Sequence, residues 1–190
     1  NRVFTNFKDP SMFTSDFDRA EFLYATRSFD AAMELYDKSI KGFPDNQMTV
    51  FQIETALERQ VAYFARIVRN PTAALAKIKL HQANTLLPQY LKDNMSAWSV
   101  QLKKVEAQSP LDPKVATDTQ IIEYARKNIE ADDKKTNVDA TSPRLVTYLT
   151  VSGMLYEFLE KHPNSKATPQ VLYWLAMCDR SIENNFFFSL

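Results

Sequence analysis

The chain has 190 residues, 45% of them hydrophobic and 24% charged, enough to bury a sizeable core as one domain or as an elongated array of helix pairs. Lysine plus arginine and aspartate plus glutamate balance at 23 each, so no overall field attracts a polyanion and nucleic-acid binding is disfavoured. No apolar run approaches the ~18 residues of a membrane-spanning helix, and 2 glycines against 9 prolines is the punctuation of helices, not of hairpins.

Residues 1–12 read as an irregular lead-in that packs Phe4 and Phe7 against the first helix. Thr14 or Ser15 then caps a helix reaching about Arg27, and its partner runs from about Asp30 to Lys41 with Ala32, Leu35, Tyr36, Ser39 and Ile40 on one face. Pro44, Asp45 and Asn46 form the next turn. From Met48 to Arg69, the apolar set Val50, Ile53, Leu57, Val61, Phe64 and Val68 recurs at three and four residues, while Glu54, Glu58 and Arg66 lie off that stripe. That pattern predicts one long amphipathic helix. Asn70 and Pro71 supply a cap and a first-turn proline for a helix through Ile78 and Leu86. Pro88 starts another, with Leu91, Met95, Trp98, Leu102 and Val105 as its buried stripe.

The stretch 108–113, with two prolines and a serine, reads as a loop. A helix from about Ala116 to Ala131 turns Ile121, Ala125 and Ile129 inward, and the polar stretch 132–142 reads as a mobile, solvated loop. Pro143 opens a helix through Leu149, Leu155 and Phe158, in which Gly153 with Ser152 would let a neighbouring helix cross closely. The last helix carries Val171, Leu175, Cys178 and Ile182 inward; the single cysteine cannot form an internal disulfide and reads as a buried thiol.

The spacing in 29–45 resembles half of a tetratricopeptide repeat: Phe29 at the inter-helix turn, Ala32 small at the crossing, Tyr36 at the aromatic position and Pro44 at the stop. Ser39 replaces the usual alanine, and Asp16 stands where a large apolar residue is preferred. A small side chain at such a crossing lets helices approach to roughly 8–10 Å. The stretch 158–182 is similar to the junction between repeats in bacterial envelope proteins, namely the outer-membrane assembly lipoprotein and the periplasmic partner of the Tol-Pal system. Phe158, Leu159, Pro163, Asn164, Ser165, Tyr173, Trp174, Leu175 and Ala176 carry that likeness, with Ala176 where glycine is usual.

These resemblances imply an all-α fold, an irregular solenoid of antiparallel helix pairs forming a single helical domain. Residues 1–46 are then a first repeat, 47–140 irregular helices and 141–190 a repeat-like end. The centre is irregular because Pro44 and Pro163, 119 residues apart, do not fit a period of about 34. The start at Asn1 reads as a processed or excised chain, and the apolar end at Phe186, Phe187 and Phe188 implies continuation, a covering partner or self-association. The function implied is a non-enzymatic scaffold of the bacterial periplasm or outer-membrane periphery that binds another protein or peptide in a concave groove. In repeat register, Phe17, Glu21 and Tyr24 face that groove at one end and Tyr173, Met177 and Arg180 at the other.

No cofactor or metal site is expected: His81 and His162 each lack a second ligand at helix spacing. Glu157 and Glu160, three apart and beside lysines, read as a solvated face, and no nucleophile elbow or phosphate loop is present. The alternative is a small-ligand-binding or accessory domain of a larger enzyme, or a self-assembling structural protein. An enclosed apolar cavity would favour a ligand, an open groove a scaffold.

Overall fold

A computed structural model describes residues 13–133 and 143–185, and among these the chain is all-helical, with no strand. The expected lead-in with Phe4 and Phe7, the polar stretch 134–142 and the apolar end 186–190 lie outside the described residues. Eight α-helices run in order through the described residues: α1 (Asp16–Ala25), α2 (Phe29–Lys41), α3 (Val50–Ala62), α4 (Pro71–Gln82), α5 (Gln89–Glu106), α6 (Asp118–Asp133), α7 (Pro143–Lys161) and α8 (Thr168–Asn185).

Helix starts are set by local hydrogen bonding. The Ser15 hydroxyl accepts the Asp18 N–H at 3.0 Å, and Asn70 accepts the Ala73 N–H at 2.9 Å ahead of Pro71. Thr49 with Gln52 and Thr117 with Gln120 each exchange side-chain and backbone bonds reciprocally, satisfying two donors that an open helix end would leave unpaired. At the end of α1, Arg27 turns left-handed with φ 66°. The Ser28 N–H then reaches the Leu23 carbonyl at 2.8 Å and the helix closes in a Schellman motif.

The first two helices form an antiparallel hairpin, since Asp16 meets Lys38, Phe17 meets Tyr36 and Tyr24 meets Phe29. Ala20 and Ala32 are fully buried, as expected of small residues in a tight hairpin. α2 then runs against α3, with Asp37 accepting from Gln60 at 2.6 Å, and Asp30 accepts from Tyr63 just beyond α3 at 2.5 Å. α4 packs on α5. Beyond α5 the order of neighbours leaves chain order: α5 lies against α7, while α6 lies against α7 and α8.

Four expectations are corrected in detail. The helix expected over 48–69 is α-helical only to Ala62 and widens into a π-helical turn, Tyr63–Ile67. α4 stops at Gln82 rather than continuing through Leu86, and α6 extends to Asp133 with Asp132 buried. Among the described residues no neighbouring helix crosses closely at Gly153, where a Cβ built on the backbone meets nothing within 4 Å.

Candidate binding groove

The π turn sets one wall of a groove. Its extra residue per turn, marked by the Val68 N–H bonding the Tyr63 carbonyl at 3.0 Å, rotates the residues after it by about 100° relative to a straight helix. Val68, on the expected apolar stripe, is therefore turned outward and 41% exposed, while Arg66, expected off the stripe, is buried. The Arg66 guanidinium meets Asp179 at 3.3 Å and Glu183 at 3.6 Å on α8. Arg69 then adopts φ 55° and reaches α7, pairing with Glu160 and lying 5.4 Å over the Tyr156 ring. The Tyr156 hydroxyl donates to Asp179 at 3.0 Å; burial and that carboxylate push its pKa up to about 12.

The connection 107–117 forms the opposite wall. Its turn is held by the Asp112 carboxylate, which accepts the Lys114 N–H at 2.9 Å, and by the Asp112 carbonyl, which accepts from Val115 and Ala116. His162 at the end of α7 pins it there: its ring stacks near Phe158 at 4.9 Å, and Nε2 donates to the Pro113 carbonyl at 2.8 Å. His162 therefore anchors a loop.

Between these walls one face of α7 is left open. The groove has a volume of about 650 Å³ and runs along α7 through Leu149, Gly153, Glu157 and Lys161, residues one turn apart. Val68, Val105, Leu111 and Met154 line its apolar part, and Arg69, Glu106, Lys114, Glu157, Glu160 and Lys161 its charged part. The span from Leu149 to Lys161 is about 18 Å at 1.5 Å per residue, the length of five to six residues of extended chain at ~3.3 Å each. The Thr150 hydroxyl, shielded from water at the groove, has no hydrogen-bond partner among the described residues. Such a group costs roughly 1–3 kcal/mol until it finds one.

None of the residues expected from repeat register lines this groove, although Glu21 and Tyr24 together edge a small cavity of about 130 Å³ with Arg27 and Arg59. Phe17 and Tyr24 are only 8% and 4% exposed, so their rings form core rather than groove surface. Glu21 accepts from Tyr36 and lies 3.6 Å from Arg59, which sits over the Tyr24 ring. Tyr173 is 58% exposed beside Trp174, and Met177 and Arg180 also lie at least partly at the surface; none of the three lines this groove. Phe186, Phe187 and Phe188 lie outside the described residues. Cys178 is buried, as its apolar neighbours imply. Glu157 and Glu160, read as a solvated face, both line the groove, and Glu160 is tied to Arg69. Sequence reasoning missed Arg69 and Lys114. The signals were the Asn70-Pro71 break after a long apolar stripe and the two-proline loop at 108–113, each marking where walls separate.

A second polar constellation, outside the groove, joins α2, α3 and α4. The buried Gln60 side chain donates to Asp37, leaving only its carbonyl oxygen to face His81 Nε2 at 2.6 Å. Nε2 therefore carries a proton and donates it to that oxygen. Burial, reinforced by the nearby Lys77 ammonium, pulls the His81 pKa down to about 4. Burial pushes the Asp37 carboxyl upward, but hydrogen bonds from Lys77 and Gln60 outweigh it and hold the group below its ordinary value. On α3, burial and the Glu54 charge raise Glu58 to about 7. Among the described residues no group of three or more metal-ligating side chains converges.

No family model, curated protein or solved structure matches this chain.

Proposed function

We propose that this chain is a non-enzymatic helical scaffold that receives an extended segment of a partner protein in the groove along α7. The observation that carries the reading is the uncovered strip of α7 centred on Gly153, where a helix backbone stands open between two fixed walls. Glycine at that point lets a second backbone come close. The groove is open along its length, which favours a passing chain over a small ligand sealed from solvent. In this reading the α1–α2 and α7–α8 hairpins are the repeat-like ends of an irregular tetratricopeptide-type solenoid. The bacterial envelope location rests on the resemblance of 158–182 alone, and fractionation of cells carrying the native chain tests it.

Selection from a displayed library of randomised twelve-residue peptides tests the binding claim. Enriched peptides are expected to lose at least about tenfold in affinity for Gly153→Leu, whose side chain enters the uncovered strip, and to keep it for Tyr173→Ala. No enrichment, or enriched peptides indifferent to Gly153→Leu in a variant that retains its helicity, overturns the proposal.

A further inference from the structure

The groove carries an ordered pattern of charge, and the pattern specifies its occupant. Glu157 lies one turn after Gly153 and Lys161 one turn after Glu157, all three lining the same strip of α7. Lys114 flanks Pro113, whose carbonyl is bonded to His162, so both lysines stand at the same end of the groove. The side chains of Glu157, Lys114 and Lys161 have no ion-pair or hydrogen-bond partner among the described residues. A Glu and a Lys four apart in this order ordinarily close on each other, and here they stand open. Their neighbours do not: Arg69 is taken by Glu160, and Glu106 by the Thr72 hydroxyl. Asp112, which also lines the groove beside Lys114, has its carboxylate turned to the Lys114 N–H, so one unpaired carboxylate in mid-groove is followed by two ammonium groups without an ion-pair partner at the end.

The spacing matches an extended chain. Four residues of α7 advance about 6 Å, while two residues of a strand advance about 6.6 Å and return to the same face. Alternate residues of a bound strand would therefore meet Gly153, Glu157 and Lys161 in turn.

We infer that the groove selects an extended segment of another protein with the order apolar, any, basic, any, acidic, read in one chain direction or the other. The apolar side chain lies across Gly153 toward Met154 and Leu111, the basic one meets Glu157, and the carboxylate sits between Lys114 and Lys161. The inference rests on the scaffold reading above and adds the chemistry of the partner.

The test uses the whole chain and fluorescein-labelled peptides measured by anisotropy at low and high salt. The panel has leucine, lysine and glutamate separated by single serines, the same sequence reversed, and both versions with the two charges exchanged. One of the first two is expected to bind about tenfold more tightly than its exchanged form, with the advantage shrinking as salt rises. The double change Glu157→Lys with Lys161→Glu is expected to narrow or reverse that preference. Lys114→Ala weakens binding of the preferred peptide alone. Peptides that bind, are lost with Gly153→Leu, and ignore charge order overturn the charge pattern and leave the groove. Binding by none, or binding unaffected by Gly153→Leu, overturns both.

Discussion

Arg66 and Asp179, 113 residues apart in the chain, meet at 3.3 Å, with the arginine side chain only 3% exposed and the aspartate 30%. The pair ties the π turn to α8 and so holds one groove wall relative to the helices behind the other. Removing Asp179 leaves the buried Arg66 guanidinium with Glu183 at 3.6 Å as its remaining α8 carboxylate, whereas replacing the arginine by an apolar side chain of similar length leaves no buried charge at all. Asp179→Ala is expected to cost about 2–3 kcal/mol in urea unfolding, and Arg66→Met within about 1 kcal/mol of zero. A larger loss for Arg66→Met than for Asp179→Ala would contradict this.

Ser39 occupies the position where alanine is usual in the repeats that 29–45 resembles. It is 2% exposed and its hydroxyl has no partner among the described residues. Ser39→Ala removes the unsatisfied group and improves helix propensity, so thermal unfolding is expected to show stabilisation of about 1 kcal/mol. A destabilised variant would mean that the hydroxyl is satisfied in solution.

Stability between about pH 4.5 and 6.5 is governed by two groups of opposite sign. His81 falls from 6.5 to about 4 on folding, so its contribution is complete above 6.5 and is lost as pH falls toward 4. Glu58 rises from 4.5 to about 7, so its contribution is complete below 4.5 and is lost as pH rises through 7. Across the shared window the unfolded chain binds one more proton at His81 and one fewer at Glu58, and the slopes cancel. The wild-type chain is expected to be nearly flat there, Glu58→Gln to gain stability with rising pH, and His81→Gln to lose it. Denaturant midpoints at half-unit pH intervals check all three; parallel curves would contradict the assignment.

Gly153 stands inside α7 with room for a side chain. Gly153→Ala is expected to stabilise by about 0.5–1 kcal/mol through helix propensity alone. Gly153→Leu is expected to retain the wild-type melting temperature or exceed it, and calorimetry decides. A loss would show that the strip is filled in solution.

Local periodicity and caps account for the part of the fold that was legible in the sequence. Ser15, Asn70 and Pro88 marked helix starts, and Ala32 and Tyr36 marked a buried hairpin. The all-helical class follows from such signals. The groove was not legible, because its making depends on a break in periodicity. A stripe through Val61, Phe64 and Val68 reads as unbroken, yet one extra residue in the π turn exchanges Val68 for Arg66 at the core. Nothing near Arg66 in the chain announces Asp179 and Glu183 as its partners. Gly153 drew notice as a point of close approach, but only the tertiary packing shows that nothing approaches. Repeat register set Phe17 and Tyr24 toward a groove, and in the fold both rings are largely buried, because aromatic residues at helical spacing are core as readily as they are contact.

The central claim is that the strip of α7 between the π turn and the 107–117 loop is where a partner chain lies. Hydrogen–deuterium exchange of the whole chain with and without a library-selected peptide tests it most directly. Slowed exchange confined to 65–71, 105–114 and 149–162, absent in Gly153→Leu, is the predicted result. Protection centred instead on the outer face of α8 around Tyr173 and Arg180, or on α1 and α2, would contradict it.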